Sequence, residues 1–259
     1  MTDVLLLSNS RAPGQGYLEH ARTEIAGLLA GRQRLLFIAF ASSEPDRYTQ
    51  LMREAMAPLR IIVEAAHAMA GGPAGVLDAV AKAEAVFVGG GNSFRLLRRM
   101  RAVKRDGEAG GQARAPGALD VLRGRALDGM PYIGVSAGSN LACPTIRTTN
   151  DMPIVHPGPF EALGLIPFQV NPHYPYAEAT GTRSGESREQ RLAEFVEEND
   201  VPVLGLREGT WLRVTGGRGS LGGVAEARLF RRGAAAAELA AGSDVSWLLD
   251  LPARFDVPA

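Results

Sequence analysis

The sequence predicts an α/β fold of three layers, a mostly parallel sheet with helices on both faces. Two observations carry this. Short apolar runs such as Val4-Leu5-Leu6-Leu7 and Ala85-Val86-Phe87-Val88 show no polar alternation, so both faces of each strand are buried. Segments with helical spacing separate those runs, the alternation that builds a parallel sheet.

Taken in order, the first strand ends at Ser8-Asn9-Ser10. Residues 17–30 have helical periodicity (Leu18, Ala21, Ile25, Leu28, Leu29) and stop at Gly31. Residues 35–40 form the second strand, 48–57 a helix stopped by Pro58, and 61–63 the third strand. A helix over 73–82 leads to the fourth strand, 85–88. That strand runs into Gly89-Gly90-Gly91-Asn92 and a helix over 93–101. The glycine run lacks dinucleotide-binding spacing; it reads either as a tight turn or as a loop whose Gly90 N–H faces an oxyanion. Residues 101–117 are charged and glycine-rich, a surface loop rather than a linker, because a helix (118–127) and a strand resume the pattern. Further strands are expected at 166–170 and 203–206, with a helix over 188–197 between them. Short antiparallel strands follow at 211–214, 220–221 and 228–230. Residues 234–241 have helical propensity but lie between glycines, and the tail, 243–259, docks on the body or on a partner subunit.

The 259 residues are read as a single domain, and 46% hydrophobic content supports a sizeable core. No stretch is apolar enough to span a membrane, and the first residues lack a signal-peptide pattern, so a cytoplasmic location is expected. One cysteine, Cys143, excludes an internal disulfide and a multi-thiolate zinc site; neither metal nor cofactor is expected. Lys plus Arg, 28, balances Asp plus Glu, 28, which gives no reason to expect nucleic acid or an anionic membrane as partner.

The chemistry centres on Gly134-Val135-Ser136-Ala137-Gly138, between the apolar Pro131-Tyr132-Ile133 and the small residues Ser139-Asn140. Strand, sharp turn and helix place Ser136 at the apex as a nucleophile, with the Ala137 N–H at a helix N-terminus to hold an oxyanion. A base must accompany it. His20, His67 and His156 read as structural or solvated. His173 follows a strand in the rigid Asn171-Pro172-His173 turn. Both it and Ser136 therefore fall at carboxyl ends of strands, where open α/β sheets build their sites. The histidine needs a carboxylate to fix its tautomer. Glu208, just past a buried strand, and Asp151, in a turn-rich stretch near the elbow, are both candidates, and position alone leaves the choice open.

The segments Val88-Gly89-Gly90-Gly91-Asn92-Ser93-Phe94, Tyr132 through Val155 with its Cys143-Pro144-Thr145-Ile146-Arg147-Thr148-Thr149-Asn150-Asp151-Met152-Pro153 core, Asn171-Pro172-His173-Tyr174 and Arg188-Glu189-Gln190-Arg191 resemble the peptidase E family of serine peptidases, the cytoplasmic aspartyl dipeptidases. The similarity runs from about residue 4 to about residue 230. It implies a class I glutamine amidotransferase-like (flavodoxin-like) fold with a nucleophile elbow, and hydrolysis of dipeptides that begin with aspartate. It also implies Ser136 as nucleophile and His173 as base. The chain order nucleophile, His, Glu favours Glu208 as orienter, which frees Asp151 to meet the substrate's ammonium. A planar carboxylate is best held by an arginine fork, and Arg188 and Arg147 are the candidates. Small dipeptides are the expected partners, and a homodimer is one assembly open to the chain. Two alternatives stand beside this reading: a cyanophycinase-like β-aspartyl-arginine peptidase, and an inactive member that binds aspartyl ligands. The loop at 101–117 and the tail are longer than the resemblance implies.

Overall fold

The computed structural model describes residues 2–104, 116–176 and 186–258. β1 (Asp3–Leu7), β2 (Arg34–Ile38), β3 (Ile62–Ala65), β4 (Val86–Val88) and β5 (Tyr132–Val135) lie parallel in the order β3-β2-β4-β5-β1. β8 (Thr210–Thr215) and β9 (Arg218–Gly223) extend the same sheet antiparallel beyond β1.

The unbroken apolar runs are explained by what lies on each face. Leu5, Leu7, Phe37, Phe87 and Ile133 pack under α1 (Arg22–Leu28) and α2 (Pro45–Met56). Val4, Leu6, Ile38, Val88 and Tyr132 face the other side, under α3 (Gly72–Lys82), α4 (Ser93–Ala102), α5 (Ala118–Leu127) and α6 (Ala137–Ala142). Each large side chain so buried contributes about 1.5–3 kcal/mol.

A second sheet, ordered β11-β10-β7-β6, comprises β6 (Gln169–Tyr174), β7 (Val203–Arg207), β10 (Ala227–Phe230) and β11 (Ala237–Leu239). Val170, Leu204, Leu206 and Leu229 join the core beneath α6, while Tyr174, Val203 and Phe230 face α7 (Arg188–Glu198) through Leu192 and Val196. α7 opens on a reciprocal cap: Gln190 N–H donates to Ser187 Oγ at 3.1 Å, and Ser187 N–H donates to Gln190 Oε1 at 2.7 Å.

Several elements differ from the sequence reading. The strand expected at 166–170 begins only at Gln169 and runs through His173 to Tyr174, because its partner is β7, whose Val203 pairs with Gln169. The first helix is shorter: Leu18 adopts φ 57°, a 3-10 turn covers Glu19–Ala21, and α1 starts at Arg22. The alanine run at 234–241, left open by its composition, carries the strand β11. Alanine's helical preference is worth only tenths of a kcal/mol per residue. Pairing with β10, reinforced by Glu238 bound to Arg207 and Arg228, outweighs it. Of the loop expected at 101–117, Arg101 and Ala102 end α4, and residues 105–115 lie outside the described residues.

The tail docks on the body. Val245 and Leu248 are buried, and Val245 N–H donates to Gly219 O at 2.8 Å. Among the described residues no helix is long and apolar enough to cross a membrane.

Candidate active site

Ser136 lies between β5 and α6 with φ 54° and ψ −110°, a conformation unfavourable for any residue with a side chain. Its surroundings hold it there. Ser136 N–H donates to Leu7 O at 3.1 Å, and Ser136 O accepts from Ser139 N–H at 2.9 Å and Asn140 N–H at 3.0 Å. The flanking glycines are required by contact as well as by the turn. A Cβ on Gly134 would stand 2.5 Å from Gly138 O, and one on Gly138 would stand 2.1 Å from Val88 O.

His173 is held in an equally uncommon conformation, φ 56°, where the β6–β7 register shifts between Pro172 and Tyr174. Such bulges re-aim a side chain. Three bonds fix it: His173 N–H donates to Ser8 Oγ at 2.9 Å, Ser8 Oγ donates to Leu206 O at 2.8 Å, and Arg188 Nη1 donates to His173 O. The imidazole then spans from Ser136 to Glu208. Nε2 is 3.0 Å from Ser136 Oγ, and Nδ1 is 3.2 Å from Glu208 Oε1. The two side chains are 43% and 50% exposed, so their attraction is screened and orientation matters more than Coulomb energy. Glu208 follows β7, and the next residue, Gly209 (φ 84°), donates its N–H to Asn9 Oδ1 at 2.8 Å.

The other expected site residues are distributed differently. Asp151 is not behind His173: its Oδ2 accepts from Ser93 N–H at 2.7 Å and from Thr149 Oγ1 at 3.1 Å, at the first turn of α4. That carboxylate answers a helix N-terminus. Arg147 is not at the site either. It binds Asp256 Oδ1 at 2.9 Å and lies over the Phe195 and Phe255 rings at 5.9 and 5.6 Å, clamping the tail against α7. Arg188, the first residue of α7, does reach the site, at the backbone of His173. Ala137 heads α6 beside Ser136. Gly90 lies against Ser136: a Cβ on it would be 3.3 Å from Ser136 Cβ. Its N–H donates to Tyr48 Oη at 3.0 Å.

Ser136, His173, Glu208 and Gly90 line one cleft of 450 Å³ together with Asn9, Arg11, Tyr17 and Tyr48. Burial pushes the Tyr17 and Tyr48 phenols up, which keeps both neutral, with a proton to donate. Sequence reasoning passed over these four. Ser8, Asn9 and Arg11 had a usable signal, a polar run at the carboxyl end of the first strand; Tyr48, on α2, looks like any helical aromatic. Among the described residues no cluster of His, Cys, Asp or Glu is arranged to hold a metal ion.

The chain is similar to known proteins over most of its length. The model of Peptidase family S51 matches residues 4–222. Peptidase E of Streptomyces coelicolor is 53% identical over 254 residues, covering 98% of each chain. A "probable alpha-aspartyl dipeptidase" of Drosophila melanogaster is 43% identical over 250 residues, 95% of this chain and 97% of that one. Peptidase E of Salmonella typhimurium is 44% identical over 243 residues, 93% and 98% of the two. Among solved structures, a peptidase E candidate from Listeria monocytogenes superposes with a TM-score of 0.64 at 19% identity, over 87% of this chain and 100% of that one, which speaks for the shared amidotransferase-like α/β fold. With a family match over most of its length and relatives this similar from end to end, the chain belongs to peptidase family S51.

Proposed function

We propose that the chain is a serine dipeptidase that removes an N-terminal aspartate from dipeptides, with Ser136, His173 and Glu208 as its acyl-transfer machinery. One observation carries the reading: a single imidazole within hydrogen-bond reach of both a strained serine and a carboxylate, at 3.0 and 3.2 Å. The aspartyl preference rests on relatives that bear the names peptidase E and alpha-aspartyl dipeptidase.

In this mechanism Ser136 Oγ attacks the aspartyl carbonyl while His173 Nε2 takes its proton. Glu208 accepts the Nδ1–H, keeping the reactive tautomer in place and stabilising the imidazolium. The Ala137 N–H faces the oxyanion from the start of α6, and a donor of this kind is worth about 3–4 kcal/mol of barrier. Gly90 is the second donor; because its N–H is bonded to Tyr48, the oxyanion must take that bond over from the phenol. His173 then gives its proton to the leaving nitrogen, and water hydrolyses the aspartyl ester. Arg188, anchored at the His173 carbonyl, is the group proposed to read the aspartyl side-chain carboxylate. Nucleophile and base come from different sheets, so the chain acts as one peptidase domain.

The test is hydrolysis of Asp-Leu by wild type and Ser136→Ala, with folding checked by circular dichroism. Loss of turnover in a folded variant is expected, and retained turnover removes Ser136 from the mechanism. Asp-Arg in α and β linkage serves as the control. Cleavage confined to the β linkage would replace the proposed substrate with a cyanophycin-type one.

A further inference from the structure

The proposed mechanism leaves one charged group in the cleft without a task. Arg11 lines the same cavity as Ser136, His173 and Glu208, and its side chain is exposed there, with the guanidinium 6.0 Å from the centre of the Tyr17 ring. Its backbone is not loose. The buried Asn9 donates from Nδ2 to Arg11 O and accepts from Gly209 N–H at Oδ1, so one side chain ties Arg11 to the residue that follows Glu208. The Arg11 backbone is thereby tied to the strand end that carries Glu208, while its guanidinium lies against Tyr17.

The leaving group must lie on the His173 side of the cleft, because His173 Nε2 returns its proton to the leaving nitrogen. In a dipeptide the leaving residue carries a free carboxylate one carbon beyond that nitrogen; in a longer peptide or an amide the carboxylate is absent. A carboxylate arriving beside Glu208 meets a like charge, and a cation is needed to offset it. A guanidinium lying over an aromatic ring, with its fork partly pre-organised, suits a planar carboxylate.

We propose that Arg11 binds the carboxylate of the leaving amino acid and so selects dipeptides over longer or amidated substrates. This rests on the dipeptidase reading above. The experiment compares Asp-Leu with Asp-leucinamide as substrates of wild type, Arg11→Met and Arg11→Lys. Wild type is expected to favour the acid. Arg11→Met is expected to lose on the order of 10- to 100-fold in kcat/KM on Asp-Leu, mainly through KM, with the amide changed less than about twofold and Lys restoring part of the loss. An equal loss on both substrates, or no loss on either, overturns the proposal. So does a changed preference for Asp-Leu over Asn-Leu with the acid-to-amide ratio intact, since it moves Arg11 to the aspartyl side chain. The two readings fail differently: wild type cleaving neither substrate defeats the dipeptidase reading and this one with it, whereas an active enzyme with an indifferent Arg11 defeats only this one.

Discussion

The Ser8 hydroxyl accepts the backbone N–H of His173 at 2.9 Å from 165 residues earlier in the chain, and passes its own proton to Leu206 O at 2.8 Å. One fully buried oxygen at the end of β1 thus pins the strand that carries His173 and the strand that leads to Glu208. Ser8→Ala leaves the buried Leu206 carbonyl and the partly buried His173 N–H without this partner, costing about 1–3 kcal/mol in all. We expect a lower denaturant midpoint and a reduced kcat with KM nearly unchanged. A variant with full kcat shows that the His173 bulge holds its shape without Ser8.

The two acids separate by how they respond to amide replacement. Glu208→Gln should lower kcat by about 10²–10⁴ and alter its pH profile, because the imidazole loses the partner that sets its tautomer. Asp151→Asn keeps an acceptor for the Ser93 N–H and should leave the pH profile unchanged. Asp151→Ala should cost about 1–2 kcal/mol of stability through the lost cap on α4. Steady-state kinetics across pH decide the matter: an Asp151→Asn profile that shifts as Glu208→Gln does returns Asp151 to the histidine.

Two glycines should answer opposite ways to alanine. At Gly138 a Cβ would fall 2.1 Å from Val88 O, so the elbow and β4 must move apart, at a cost of about 1–3 kcal/mol or more. At Gly124, exposed on α5 with nothing within 4 Å of its Cβ, alanine should stabilise by up to about 1 kcal/mol. Thermal melts of the two variants should move in opposite directions.

Acid should weaken the second sheet through Glu238. Arg207 grips it with two bonds, 2.6 and 2.8 Å, and Arg228 with a third, 2.8 Å; these hold its carboxyl below the usual range. A depressed carboxyl gives stability that is present above its unfolded pKa, about 4.3, and lost as pH falls through the folded value. Glu238→Gln should therefore be less stable than wild type at pH 7, with the gap closing below roughly pH 4. Urea midpoints at the two pH values measure it, and a gap that stays constant assigns the effect to packing.

Much of the main sheet could be read from the chain because its strands are apolar on both faces and its turns are rich in glycine. The elbow was legible for the same reason: Gly134 and Gly138 are where backbone meets backbone. His173 was legible as a residue near a strand end, but its bulge was not, since the shift arises from pairing with a strand some thirty residues further on. Arg147 misled because a cation next to a motif looks functional, and its true partners, Phe195, Phe255 and Asp256, are distant in sequence. The alanine run was left open by sequence, because local preference is weak beside the bonds that Arg207 and Arg228 make to Glu238. Tyr48 reaches the cleft only through tertiary packing, on which sequence periodicity is silent.

The place of β1 has a consequence for how the protein comes into being. This first strand lies between β5 and β8, and Ser8 N–H closes onto Thr210 O at 3.0 Å. β1 precedes this second neighbour by about two hundred residues, so that pairing can form only once β8 has been made. Glu208 emerges just ahead of that neighbour. A fragment that ends before β8 lacks that neighbour of β1, and we expect it to show no Asp-Leu hydrolysis.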